Sequence, residues 1–291
     1  LVVSNHAMET YTNTVAEAKN NNTGEVFPYR LQTPVEVVWE NTPYAEAEPI
    51  SELELPYDFN FLMVSQISAR KNFSDALRWW VEEFIDQEVG LVLKSNIKCN
   101  SQLDFHNFHE SIKLALAEYP DRKCKIHILH GDLSAGQMTG LYTHPKIKAI
   151  VNIAHGEGFG LPLYEAARSG LPVVTIGWSG QVDFLTHEGE ELFQKVNHVL
   201  APVQANAVWD GVIQKESEWA YADQGSYKMT LRKTYKTWHK AKETAEKLKG
   251  IVNDKFSDET LYAKFCNAIH ENVETFEIEN WLDNLDLEEH E

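Results

Sequence analysis

The stretch HGEGFGLPLYEAARSGLPVV, residues 155–174, constrains this chain more than any other. Before it stands AIVNIA, a short apolar run with β-branched residues that reads as a buried strand. Gly156, Gly158 and Gly160 follow at alternate positions, so the backbone there is free to take positive φ and to approach a ligand. Pro162 suits a first helical turn, and Gly170 suits a C-terminal cap. Pro172 forbids continuation, and 173–176 returns as a second apolar run. Two parallel strands need such a crossover, so the stretch predicts a βαβ unit.

A loop of free amides opening onto a helix N-terminus attracts anions, phosphate above all. Glu157 lies inside that loop and Glu165 in the helix after it. An acid beside a phosphate site is not there to bind the phosphate. It accepts hydrogen bonds from hydroxyls, as the ribose-binding acid does in dinucleotide folds. Phosphate plus hydroxyls points to a nucleotide sugar. The plainer alternative is an ordinary βα loop, with Glu157 solvated and Glu165 stabilising the helix dipole.

The run EGFGLPLYEAARSGLPVV resembles the E-x7-E signature of retaining glycosyltransferases of GT-B fold, the GT4-like group. Both glutamates, the G-F-G-L-P core, the E-A pair and the later G-L-P-V-V stand in family order. The resemblance implies that Gly158, Phe159, Gly160 and Leu161 approach the donor diphosphate and sugar through their amides. It implies that Glu157 holds donor-sugar hydroxyls and Glu165 the ribose. Ala154 departs from the family, which often has a small hydroxyl residue there.

SQISARKN, 65–72, sits between a strand reading, 59–67, and an amphipathic helix reading, 73–85. Arg70 and Lys71 therefore fall at a strand's C-terminal end, where open α/β sheets bind ligands. The segment looks like the GT4 variant G-T-I-x-P-R-K-N, whose basic pair meets the donor diphosphate. Gln66 stands where the commoner version has an arginine, and Arg70 is a candidate to supply that charge. HGDLSAGQMTGLY resembles a family segment near the nucleotide base, making Gly131, Asp132 and Leu133 candidate contacts, with Ser134 as a helix cap. Ser179 and Gly180 occupy a loop that in the family closes beneath the donor, and Trp178 is either a stacking surface or a packed aromatic. Glu218, Trp219, Ala220 and Asp223 resemble a family segment that precedes the closing helices.

The remaining sequence bounds the reading. A net charge of -18 excludes general nucleic-acid or anionic-membrane binding. Three scattered cysteines without a CxxC pattern favour a reducing, cytoplasmic setting and no zinc site. His106 and His109 lack a third nearby ligand, so no metal is expected. No apolar run has membrane-spanning length. Before the main sheet, 1–4 and 35–39 read as strands, 5–19 as helical, and Pro43, Pro49 and Pro56 as an extended connection. A single long lysine-rich helix is expected over 227–252.

The expectation is an α/β fold, a Rossmann-like parallel sheet with helices on both faces, equivalent to a GT-B C-terminal domain with the N-terminal half largely absent. Residues 1–55 would be an N-terminal remnant and linker, 56–270 the donor-binding domain, and 271–291 an acidic tail or docking helix. The resemblance implies a retaining hexosyl- or glycosyltransferase using a UDP-, GDP- or ADP-sugar. Glu157, Arg70 and Lys71 would be catalytic, and Glu165, Gly158, Phe159, Gly160, Leu161, Gly131, Leu133 and Ser179 would bind the donor. The rival is a nucleotide-sugar-binding module that is catalytically incomplete alone. An epimerase or phosphorylase of the same architecture fits the E-x7-E pattern less well, and GEGFGLP lacks the G-x-G-x-x-G of a nicotinamide dehydrogenase.

Overall fold

A computed structural model describes residues 1–42, 45–50 and 53–270. The expectations for Pro43 and for the acidic 271–291 segment lie outside the described residues. The chain divides into two compact units, one of Leu1–Asn41 with the described residues from Lys255 onward, the other Thr42–Asp254.

In the first unit, helix α1 (Asn5–Asn13) starts at Ser4, whose hydroxyl accepts from the Ala7 amide at 3.2 Å. The helix stops earlier than its sequence suggests. Thr14 is extended, and β1 (Ala16–Lys19) pairs antiparallel with β2 (Val26–Tyr29) across a turn held by the Asn20 side chain. The β-branched Thr14 and Val15 favour this break. The expected strand over 35–39 reduces to one parallel bridge, Val2↔Val37.

The second unit is built on a six-stranded parallel sheet: β3 (Asn60–Gln66), β4 (Gly90–Asn96), β5 (Lys125–Leu129), β6 (Ile147–Asn152), β7 (Val173–Ile176) and β10 (Gln194–Val196). Two-residue strands β8 (Thr186–His187) and β9 (Glu190–Glu191) form a small hairpin before β10. The long strands are apolar on both faces because helices cover both. Phe61, Met63, Leu91 and Leu93 pack with α2 (Phe73–Phe84), α3 (Gln102–Leu116) and α7 (Gln224–Lys236), around Trp80, Phe108 and Tyr227. The alternate residues Leu62, Val92 and Ile150 are equally buried and face the other way. There lie α4 (Ala135–Tyr142) and α5 (Leu161–Arg168). The short α6 (Val182–Leu185) precedes β8; the hairpin β11 (His198–Pro202) with β12 (Glu218–Ala222) precedes α7.

The lysine-rich C-terminal pattern is two helices, not one. Thr237 leaves helical geometry between α7 and α8 (Trp238–Lys255), and the Trp238 indole donates to the Lys148 carbonyl at 2.9 Å. Helix α9 (Asp258–His270) follows in the first unit. No helix among the described residues is long and apolar enough to cross a membrane.

Strand order decides where a ligand fits. Across the sheet it is β10-β7-β6-β3-β4-β5, so the chain moves outward from β3 to β5, returns to β6 beside β3, and moves outward again. The direction reverses between β3 and β6, and open α/β sheets bind ligands outside the carboxyl ends of such a pair. The β3–β4 ladder runs the full length, Asn60↔Gly90 to Gln66↔Asn96. The β3–β6 ladder ends at Leu62↔Ile150, so the two strands part toward their carboxyl ends and leave a crevice.

Candidate functional site

The turn after β3 and the glycine loop after β6 face each other across that crevice. The first is closed by Lys71 N–H on the Ser68 carbonyl, 3.1 Å, and Asn72 N–H on the Ala69 carbonyl, 3.2 Å. Asn72 is left-handed, φ 48°, a conformation asparagine tolerates better than most residues, and α2 begins from it. The His155 amide then donates to the Arg70 carbonyl at 2.8 Å and docks the glycine loop on this turn.

Glu157 is the hub. Lys71 Nζ lies 2.6 Å from Oε1 and 2.7 Å from Oε2, and Arg70 donates to Oε2 at 3.0 Å. Asn152, the last residue of β6, donates to Oε1 at 3.2 Å. The same Arg70 nitrogen donates to the Gly156 carbonyl at 2.5 Å. The Glu157 side chain is 6% exposed, that of Lys71 17% and that of Arg70 41%. Burial pushes the Glu157 carboxyl upward, but Lys71 and then Arg70 outweigh it and hold the group below its ordinary value.

The loop is braced from behind. Ser179 is buried and left-handed, φ 79°. Gly180 donates its amide to the Glu157 carbonyl at 3.0 Å, and a Cβ there would stand 1.9 Å from the Gly158 carbonyl oxygen. Trp178 is half-buried against Gly156, as a packed aromatic. His155 is fully buried, stacked on Trp219 at 5.3 Å, and its Nδ1–H donates to the Ala220 carbonyl at 2.8 Å. Burial lowers its pKa, which suits a neutral ring. The Glu218–Asp223 segment thus anchors the loop through β12, and Asp223 caps α7 by accepting from the Ser226 amide.

Gly160 takes φ 98° as the residue before α5, which only glycine adopts without strain, and offers no side-chain cap to the first amides. Gly158 is exposed. Phe159 turns inward onto Tyr164 and Phe184, at 5.4 and 5.1 Å, so only its backbone is left to meet a ligand.

Glu165 is elsewhere on α5. Its Oε2 accepts from the Tyr142 hydroxyl at 2.8 Å, and it lines a 460 Å³ cavity with Thr42, Thr139, Tyr142 and Arg168. Burial raises its pKa; Tyr142, Arg168 and Thr42 oppose that without cancelling it. Gly131 and Leu133 follow β5. The Gly131 carbonyl, at a residue with φ 95°, accepts from Lys94 Nζ at 2.7 Å, and Asp132 pairs with Asn100. Ser134 caps α4 in a reciprocal capping box with Gln137 and donates to Glu48 at 2.8 Å.

Three supports went unread in the sequence. Lys94 follows the apolar residues 91–93 near the carboxyl end of β4, and burial lowers its pKa. Asp104 accepts from the amides of Ile97, Lys98 and Cys99 and lies 3.0 Å from His130 Nε2, tying together the loops after β4 and β5. Asn152 interrupts the apolar run 149–154 two residues before its end. A polar residue at the carboxyl end of a buried strand is the signal for Lys94 and Asn152; Asp104 gives none beyond an ordinary first-turn acid. His106 and His109 are on α3, and no cluster of three metal-ligating residues occurs among the described residues.

Comparison with known proteins gives the fold. No family model matches the chain, and no curated protein matches its sequence. Among solved structures it resembles sucrose-phosphate synthase from Thermosynechococcus elongatus, with TM-score 0.61 and 14% identity over 93% of this chain and 57% of that one. It also resembles the UDP-forming α,α-trehalose-phosphate synthase from Burkholderia vietnamiensis, with TM-score 0.52 and 9% identity over 73% and 42%. A third is a TarM variant from S. aureus in complex with fondaparinux, α-GlcNAc-glycerol and UDP, with TM-score 0.51 and 14% identity over 81% and 40%. The chain therefore spans about half the length of these proteins. The parallel sheet with helices on both faces is the Rossmann-like architecture of GT-B glycosyltransferases.

Proposed function

We propose that this chain carries the donor-binding half of a GT4-like retaining glycosyltransferase that takes its sugar from a nucleotide-diphosphate sugar, with residues 56–270 forming that half. The observation that supports this best is the placement of Arg70, Lys71 and Glu157 together at the strand-order reversal between β3 and β6. A diphosphate would meet cations and the helix N-terminus of α5 there, and a sugar beyond it a carboxylate. The fold neighbours named above support the reading: one is a UDP-forming synthase and another is in complex with UDP.

In this reading Arg70 and Lys71 neutralise the diphosphate as it leaves, the service a metal gives in other enzymes. Glu157 orients the sugar through its hydroxyls, and Glu165 holds the ribose. Gly158 to Leu161 contribute backbone amides. Gly131 and Leu133 meet the base, and Ser179 fixes the loop. No metal takes part.

Calorimetry with UDP, GDP and ADP and their glucose esters, with and without EDTA, tests it. One nucleotide series should bind, and EDTA should leave binding intact. Strict dependence on magnesium or manganese overturns the metal-free reading, and failure of every nucleotide overturns the proposal. Proton NMR of the transferred or hydrolysed sugar reads the anomeric outcome; inversion removes the retaining assignment. Binding without turnover, restored by no acceptor, would favour the incomplete module instead.

A further inference from the structure

We propose that Glu157 is a built-in competitor for the diphosphate, so that the site discriminates in favour of the sugar-bearing nucleotide and against the bare nucleoside diphosphate. This rests on the donor-site reading above and adds to it a specificity role for one carboxylate.

The ligand-free geometry commits both cations. Lys71 bridges the two oxygens of Glu157, and the Arg70 nitrogen that reaches Oε2 also holds the Gly156 carbonyl. Apart from Asn152, every side-chain partner of the carboxylate is one of those cations. A diphosphate arriving at the carboxyl ends of β3 and β6 must draw Lys71 and Arg70 toward itself. Arg70, two-fifths exposed, has donors to spare; Lys71, its ammonium bridging two oxygens at 2.6 and 2.7 Å, has one hydrogen left and reaches a phosphate fully only by loosening its hold on Glu157. Each step of that transfer strips partners from a carboxylate that is 6% exposed.

A buried charge that loses its partner is strongly destabilised, more than the original pair was stabilised. The outcome then depends on what the ligand carries beyond its second phosphate. A sugar places hydroxyl donors there, and Glu157 exchanges ammonium hydrogens for hydroxyl hydrogens. A bare nucleoside diphosphate ends in phosphate oxygens, which give no hydrogen and repel the carboxylate. The carboxylate that opposes the product thus accepts the donor. The rest of the loop leaves it little room to swing away, because Ser179 holds both backbone ends of Glu157 and Gly180 its carbonyl.

The test is Glu157→Gln in the full chain, titrated with UDP, GDP and ADP and with their glucose esters. Glutamine keeps an acceptor and removes the charge. The variant should bind the bare diphosphate about tenfold more tightly and the sugar ester about tenfold more weakly, on the scale of a hydrogen bond to a charged group. An unchanged or weakened affinity for the bare diphosphate in the folded variant overturns the inference while leaving the donor-site reading intact. A wild-type chain that binds none of the six ligands overturns both. Hydrogen exchange on the wild-type chain needs no variant. Both ligands should protect the amides of 158–161, which meet the diphosphate, but only the sugar ester should add protection over 153–157, around Glu157. Equal protection of 153–157 by the two ligands overturns the inference.

Discussion

The hydroxyl of Ser179 closes both backbone ends of Glu157, accepting from its amide at 2.8 Å and donating to its carbonyl at 2.5 Å. A loop rich in glycine has little reason to stay in one conformation by itself. Here one side chain, on the loop after β7, holds the residue on which both cations converge. Ser179 adopts φ 79° to do so, which is strained for any residue but glycine.

Substitution of Ser179 separates the bond from the strain. Ser179→Ala leaves the buried Glu157 amide without its acceptor and keeps the strain, so it should lower stability by about 1–3 kcal/mol. Ser179→Gly loses the same bonds but relieves the backbone, so it should lower stability less. Urea denaturation midpoints give the order. Alanine proving no worse than glycine would remove the strain from the account.

The pairing of Lys71 with Glu157 should appear as non-additivity. Lys71→Met leaves the buried carboxylate with Arg70 and Asn152 alone, and Glu157→Gln leaves an ammonium without its anion. Combined with Glu157→Gln, Lys71→Met should be far less harmful than the sum of the two, with a coupling of about 0.5–3 kcal/mol for residues in one network. Chemical denaturation of the four proteins measures it. Separately, Lys71→Ala should weaken nucleoside diphosphate binding by about 1–3 kcal/mol, and Arg70→Ala should do as much or more if it replaces the charge missing at Gln66.

Much of this site was legible because local chemistry specifies it. Gly160 and Pro162 mark the start of α5, Ser134 the start of α4, and the SARKN turn the end of β3, each through a short-range rule. The βαβ unit likewise follows from periodicity and turn residues. The strand order does not. Nothing in a single strand says that β6 returns beside β3, yet that return is what brings Glu157 within 3.0 Å of Arg70, 87 residues away. Glu165 shows the opposite limit. Its place on α5 was clear, but its direction is set by Tyr142 from another helix. The 5–19 helix and the single 227–252 helix failed where composition stayed helix-compatible through a break, made by extended backbone at Thr14 and by a non-helical Thr237.

Asp104 sets an acid limit on the loops after β4 and β5. Burial pushes its carboxyl upward, but the amides of Ile97, Lys98 and Cys99 and the His130 ring pull it down to about 2. A carboxyl depressed in the folded state adds stability above its unfolded value, and that contribution is lost as pH falls through the folded value. The wild-type advantage over Asp104→Asn should therefore be constant at neutral pH. It should shrink only as pH falls from about 4, the ordinary aspartate value, toward about 2. Denaturant midpoints at several pH values check this; a gap that begins to close well above the ordinary aspartate value of about 4 would overturn it.

Glu165 has the reverse sign, and with it a test of its role. Its carboxyl is raised by burial in the cavity between α4 and α5. Such a group favours folding most while protonated, and its contribution is lost as pH rises from its unfolded value through its folded one. Glutamine keeps an acceptor for the Tyr142 hydroxyl and removes the buried charge. Glu165→Gln should therefore raise the melting temperature at pH 7, and the gain should shrink as pH falls into the ordinary carboxylate range. A charge kept against stability needs a function that repays it, and the proposed ribose binding would be one. The variant should lose affinity for UDP and for UDP-glucose to the same extent, because both carry the ribose. It should also cease to distinguish UDP from 2′-deoxy-UDP, which the wild-type chain should bind more weakly than UDP. A variant that is stabilised yet binds every ligand as before would leave Glu165 without the ribose role. One that is destabilised at pH 7 would mean that Tyr142, Arg168 and Thr42 outweigh burial after all.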